Sequence, residues 1–197
     1  MLYFLVLLVM FYILYDVNYF VRTYFTVLSG RLYQRNYTLD ETTTIFGLCT
    51  FQDCDVSFRC IREARLLREL DFARYHFYDR TGVYQRSRDL RIKSLQGCTL
   101  TLTMEPVPLF SFYKINTKLV YWDERSLFFE HEVITLHDGK VRAFLVSRQH
   151  AIGENGDSSE VLLGGLPGSQ HRRECPEYLK HWFRSMEVTS EKLRHSR

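Results

Sequence analysis

A single stretch with helical spacing is followed by a run of stretches with a period of two, and no helical pattern separates them. Leu66, Leu70, Ala73 and Phe77 recur at steps of four, three and four, with Leu67 beside them. That spacing puts them on one face of a helix. Arg65, Arg68, Glu69 and Arg74 fall on the opposite face, and the helix is expected to stop before Thr81-Gly82, where glycine accepts a left-handed backbone. From Leu95 the alternation is that of strands: Leu95–Met104, Tyr113–Tyr121, Ser126–Thr135 and Val141–His150. Pro106 and Pro108 end the first, Trp122–Arg125 turns the chain, and His137-Asp138-Gly139 is a hairpin signal,. Thr42–Thr50, rich in β-branched and aromatic residues, reads as a strand ahead of the helix,. Helices that do not alternate with strands disfavour a doubly wound parallel sheet. The plan is α+β, with a curved antiparallel sheet wrapped around one long helix.

The remaining segments flank that unit. The boundaries expected are 1–25 for a membrane anchor, 26–41 for a connector, 42–152 for the folded domain, 153–175 for a flexible loop and 176–197 for a last helix. The loop is read from the glycine- and serine-rich Gly153–Gln170,. The last helix begins at Pro176, and its apolar stripe is Leu179, Trp182, Phe183 and Met186. Packing of that stripe against the domain is the ordinary outcome, and a membrane-surface contact is the alternative.

Leu2–Tyr15 is apolar without interruption and spans about 21 Å as a helix,. Continued to Val21, past Asp16 and Asn18, it becomes long enough for one membrane span,. A cleaved signal peptide would need a positive start and a nearby small-residue site, and neither is present,. A buried core helix is seldom apolar on all sides at a chain terminus. A membrane anchor fits best, so membrane lipid is an expected partner. Arg22, Arg31 and Arg35 follow the segment, which puts the domain on the cytosolic side. Endoplasmic reticulum is then the default membrane, with the secretory pathway as the alternative if the segment is a signal peptide. The sequon Asn36-Tyr37-Thr38 would be used only in a lumenal domain,.

At a net charge of +3 over 197 residues, with dispersed basic residues, nucleic acid is not an expected partner,. Five cysteines without CxxC spacing point to neither a disulfide framework nor a zinc site,. Seven scattered histidines form no HxxxH or HExxH pattern. Neither a metal nor a cofactor is expected.

The chemistry-bearing stretch is Thr50–Tyr78, where Asp53 and Asp55 precede the long helix. A helix start offers unpaired N–H groups and the positive end of the macrodipole. A carboxylate beside donors that polarise a carbonyl suits acyl transfer. Asp55 and Asp53 are therefore the candidate catalytic residues; the structural alternative is a cap of the helix for Asp55 and a turn residue for Asp53. His131 alternates with Phe129 and Val133 and reads as a satisfied core histidine.

A strand, an acidic loop, one long helix and a run of strands resemble a hot-dog-fold thioesterase. Asp53-Cys54-Asp55 resembles the acidic loop of the 4-hydroxybenzoyl-CoA thioesterase-like branch. Further matches are Ala64-Arg65, Leu67-Arg68-Glu69, Asp71–Arg74, Trp122-Asp123, Asp138-Gly139, Arg148-Gln149-His150 and His181-Trp182. With the apolar amino terminus they are similar to the thioesterase superfamily member six family. The resemblance implies a hot-dog fold, an acyl-CoA or other acyl thioester as ligand, and a homodimer. It assigns the nucleophile or base to Asp55 and the thioester-binding helix start to Ile61, Arg62, Glu63 and Ala64. Relatives carry His, an apolar residue, Asn and Asn where this chain has Cys60, Ile61, Arg62 and Glu63. Two functions follow: a membrane-anchored acyl-CoA thioesterase, or an inactive hot-dog domain that binds acyl chains or partners at a membrane.

Overall fold

The computed structural model describes residues 1–153, 159–170 and 172–195. Two helices come first, α1 (Leu2–Leu14) and α2 (Val17–Tyr33), followed by β1 (Thr43–Leu48). The long helix α3 (Glu63–Thr81) leads into a short α4 (Val83–Asp89). The strands β2 (Lys93–Thr103), β3 (Phe112–Trp122), β4 (Ser126–Thr135) and β5 (Val141–Ile152) follow. Helices α5 (Ser159–Leu163) and α6 (Glu177–His195) complete the described elements.

The five strands form one antiparallel sheet in the order β1-β3-β4-β5-β2. The apolar face of α3 supplies Leu66, Leu70, Ala73 and Phe77, all buried as their spacing predicts. They pack with sheet residues such as Ile115, Val133 and Leu145 in one cluster and Leu119 and Phe129 in the next. Gly82, at φ 81°, ends the helix in the left-handed conformation, which costs glycine no Cβ clash. The opposite sheet face is covered by α6, where Leu179, Trp182 and Phe183 pack on Val120, Phe128 and Val146. The tail stripe is thus a domain contact.

Bulges shape the strands. Val133 pairs with Ala143 and Ile134 with Val141, so Arg142 is the extra residue on β5. An extra residue re-aims its side chain, and Arg142 is buried beside Ala143 instead of alternating outward. His131, on β4, is fully buried and satisfied: Thr117 Oγ1 lies 3.0 Å from Nδ1 and Ser147 Oγ lies 2.9 Å from Nε2.

Three expectations need correction. The apolar amino terminus is not one helix: it breaks at Tyr15-Asp16 with a bend of 68°. Asp16 causes the break, because its carboxylate caps α2 by accepting from Tyr19 N–H at 3.1 Å and pairs with Arg68. No single helix among the described residues is long and apolar enough to cross a membrane, although the bent pair passes that test together. Second, residues 26–33, expected to be connector, belong to α2. That helix lies along the polar face of α3, which is why Glu69 is buried and not solvated, while Arg74 is buried toward Gln96 of β2. Third, part of the expected flexible loop is packed: Ser159, Leu162 and Leu163 of α5 are buried. Its residues 154–158 and 171 lie outside the described residues.

Candidate functional site

The acidic loop is held from both ends. Asp53 is buried and closes a capping box: its Oδ2 accepts from Thr50 N–H at 2.9 Å and Thr50 Oγ1–H at 2.7 Å. Its Oδ1 lies 2.6 Å from Arg65 Nε. Both oxygens face partners within the chain, so Asp53 fixes the loop and is the buried member of the two candidate carboxylates. Beyond it, Cys54 and Ile61 bridge to each other, and Ile61 N–H donates to Val107 O at 2.9 Å. Leu109 N–H donates to Arg59 O at 2.8 Å, so residues 54–61 are pinned against the segment after β2.

Asp55 lies at the edge of a cleft of about 440 Å³ at the start of α3. The cleft runs between Cys60–Glu63 and Leu66 on one side and Thr103, Glu105–Val107, Arg142 and Ala143 on the other. Ser57 Oγ–H donates to the Asp55 carboxylate at 2.8 Å from each oxygen. That hydroxyl, chiefly, and the backbone N–H groups of Arg59, Ser57 and Cys60 hold the acid below the usual carboxylate range. Asp55 is therefore ionised at neutral pH, but most of its acceptor sites are occupied. Arg62 does not pair with it; the guanidinium donates to Gln52 O at 3.2 Å.

Of the four residues expected to offer N–H groups at the helix start, two are already engaged. Ile61 N–H goes to Val107 O, and Arg62 N–H goes to Asp53 O at 3.0 Å. Arg62, as N-cap, has no side-chain bond to the helix start. Glu63 and Ala64 N–H donate to no acceptor among the described residues, as the first turn of a helix requires. Glu63 lines the cleft and Ala64 does not. Glu63, whose backbone N–H has no acceptor among the described residues, thus lines the same cleft as Asp55. Cys60 also lines the cleft. Burial, and then the charge of Asp55, push its thiol up, so the thiolate that nucleophilic attack needs is disfavoured.

Sequence reasoning missed the far wall. Arg142 is fully engaged: it pairs with Glu105 and Asp138, and its Nε–H donates to Thr135 Oγ1 at 2.9 Å. Its only signal in the sequence is the extra residue in β5, and a bulge is invisible without the partner strand. Behind the loop lies a second buried set. Glu69 is 2.5 Å from Arg22 and 3.2 Å from Arg65, and Arg22 donates to Tyr113 Oη at 3.3 Å. Arg65 therefore bridges Glu69 and Asp53, tying α2 to the loop that carries Asp55.

Residues 49–183 match the thioesterase-like superfamily. Protein THEM6 of Drosophila melanogaster is 47% identical over 96% of this chain and 97% of its own length. The chain belongs to the THEM6 family of the thioesterase-like superfamily. Protein THEM6 of Xenopus laevis is 31% identical over 91% of this chain and 85% of its own. Solved structures share the hot-dog fold. A probable thioesterase, YbaW of Escherichia coli, superposes with a TM-score of 0.53 at 18% identity, over 59% of this chain and 86% of that one. The 1,4-dihydroxy-2-naphthoyl-CoA thioesterase Slr0204 of Synechocystis gives 0.54 at 8% identity, over 64% and 97%. At those identities the likeness is one of fold. The THEM6-family domain here is a thioesterase-like hot-dog domain whose acidic loop and helix start open on a common cleft.

Proposed function

We propose that this chain binds acyl thioesters, with acyl-CoA as the representative ligand, and hydrolyses them slowly. The observation that carries the reading is that Asp55, held ionised, and Glu63, at the start of α3 with an uncommitted N–H, line one cleft. In this mechanism Asp55 takes a proton from a water molecule as the water oxygen adds to the thioester carbonyl. The carbonyl oxygen becomes an oxyanion stabilised by Glu63 N–H and the positive end of α3. The C–S bond then breaks, the carboxylic acid is released, and the thiolate leaves with the proton.

A depressed carboxylate is a weak base, so turnover is slow, and this favours a second reading: ligand binding without hydrolysis. The two are separated by incubating the full chain with acyl-CoAs of increasing length and measuring both thiol release and binding. Thiol release that drops at least tenfold in Asp55→Asn supports the hydrolase. Binding without thiol release in the parent chain supports the binding domain, and neither binding nor release would remove both.

The same proposal places α1 in a membrane and pairs two copies of the chain into a homodimer. The support for the first is that the described side chains of α1 are all apolar or aromatic and exposed. The membrane is taken as endoplasmic reticulum with the domain on the cytosolic face. Glycosylation at Asn36, seen as a glycosidase-sensitive mass shift, would reverse that orientation.

A further inference from the structure

Three phenylalanines of the acidic loop and its neighbour stand out of the surface together. Phe51 lies in the short 3-10 turn Phe51–Asp53, Phe58 in the loop of Asp55, and Phe110 ahead of β3. Phe51 meets Phe58 at 6.2 Å and Phe110 at 5.0 Å between ring centroids, both edge to face. Yet the three side chains are 56%, 58% and 59% exposed. Two of them also carry backbone strain: φ is 54° at Phe58 and 59° at Phe110. That region is unfavourable for a bulky side chain. Backbone bonds impose it, with Phe58 N–H donating to Asp55 O at 3.1 Å and Phe110 N–H to Cys49 O at 2.9 Å. Strain that burial within the chain does not offset marks a feature kept for contact with something else.

What covers the cluster is indicated by its neighbour. Asn18, in the first turn of α2, donates to Gln52 Oε1 at 3.2 Å, so the α1–α2 elbow touches the residue next to Phe51. Helix α1 has no polar face for a protein partner to match, and lipid is the surrounding that suits it on every side. Arg59 and Arg62, both exposed, flank the cluster and suit anionic headgroups,. We infer that Phe51, Phe58 and Phe110 form an aromatic wedge that inserts into the same bilayer surface as α1 and sets the mouth of the Asp55 cleft against the lipid. Rings at this position sink into the boundary between headgroups and acyl chains. A long acyl thioester resident in the bilayer then reaches the cleft without leaving it.

The inference rests on the proposed membrane contact of α1, and the test separates the two. The full chain is reconstituted into vesicles of phosphatidylcholine and phosphatidylserine, with and without bromine on the acyl chains. Tryptophan is introduced singly by Phe58→Trp, Phe110→Trp and, for α1, Tyr12→Trp. Trp122 and Trp182 of the parent chain supply the background. The expected result is bromine quenching at Phe58→Trp and Phe110→Trp at least twofold above that background. Quenching of Tyr12→Trp alone would overturn the wedge and leave the membrane contact of α1 standing. Blue-shifted emission at residues 58 and 110 without quenching would place a second copy of the chain there and also overturn it. Quenching at none of the three would end both readings.

Discussion

His76 is 1% exposed, and neither ring nitrogen has a hydrogen-bond partner among the described residues. Burial, and then the charge of Arg80, push its pKa down to about 4, partly offset by Asp79. The folded chain therefore keeps this ring neutral where the unfolded chain, with a pKa near 6.5, takes up a proton. Stability from this group is complete above about pH 6.5 and is lost as the pH falls toward 4. The loss is up to about 3 kcal/mol at 1.36 kcal/mol per unit. Urea midpoints between pH 7.5 and 4.5 are expected to fall for the parent chain and to fall less for His76→Phe; parallel curves would refute the assignment. The ring's other neighbour is Gly30 of α2, where an added Cβ would lie 2.8 Å from His76 Nε2. The His76 ring must shift to admit the methyl, so Gly30→Ala is expected to cost about 1–3 kcal/mol in the same assay. The depressed pKa of Asp55 has the same sign: thiol release is expected to hold to lower pH than an unperturbed carboxylate would allow, read from its pH profile,.

At the scale of elements, the seam between α2 and α3 is charged where a sequence pattern predicts solvent. Arg22, Glu69, Arg65 and Asp53 form a chain of ion pairs, with Glu69 fully buried. Removing Arg22 leaves buried Glu69 with Arg65 alone, 3.2 Å away, so Arg22→Met is expected to lower the urea midpoint, by less than the about 3–5 kcal/mol of a fully stranded charge,. Arg22→Met with Glu69→Leu should recover much of the loss, because two apolar side chains leave no uncompensated charge. Additive effects in that double-mutant cycle would show that the pair is not coupled. This seam also shows what the sequence could carry. The core stripe of α3 and the alternation of β3 and β4 were legible because burial follows a fixed period there. The polar face of α3 was not: whether Glu69 meets water or Arg22 depends on a helix that begins 46 residues earlier in sequence, as the positions themselves show. Asp16 was visible as an interruption, but its bond to Tyr19 N–H and pairing with Arg68, which turn the helix, needed the fold. Likewise Asp55 and the helix start were readable from the acidic loop, while the occupied N–H groups of Ile61 and Arg62 depend on Val107 O and on Asp53 O.

For the molecule as a whole, the longer of the two edge strands of the sheet, β2, offers a surface for assembly. Strand β2 pairs with β5 on one side, and on the other presents unpaired backbone groups along Lys93–Thr103. Nine of its eleven residues are exposed, Leu95, Leu100 and Leu102 among them. A long edge with exposed leucines is a template for another strand. Neither a proline nor a charge beyond Lys93 interrupts it. Self-pairing of β2 across a two-fold axis would continue the sheet through both copies and cover these side chains, consistent with the proposed homodimer. Leu100 and Leu102 lie on one face of the strand, so two charges there would meet their own copies across the axis. Analytical ultracentrifugation of the parent chain in detergent is expected to give a dimer. Leu100→Lys with Leu102→Lys is expected to give a monomer of unchanged circular dichroism, since neither leucine contributes to the monomer core. A dimer that survives both lysines would move the interface away from β2, and a monomeric parent chain would leave the edge exposed for some other strand.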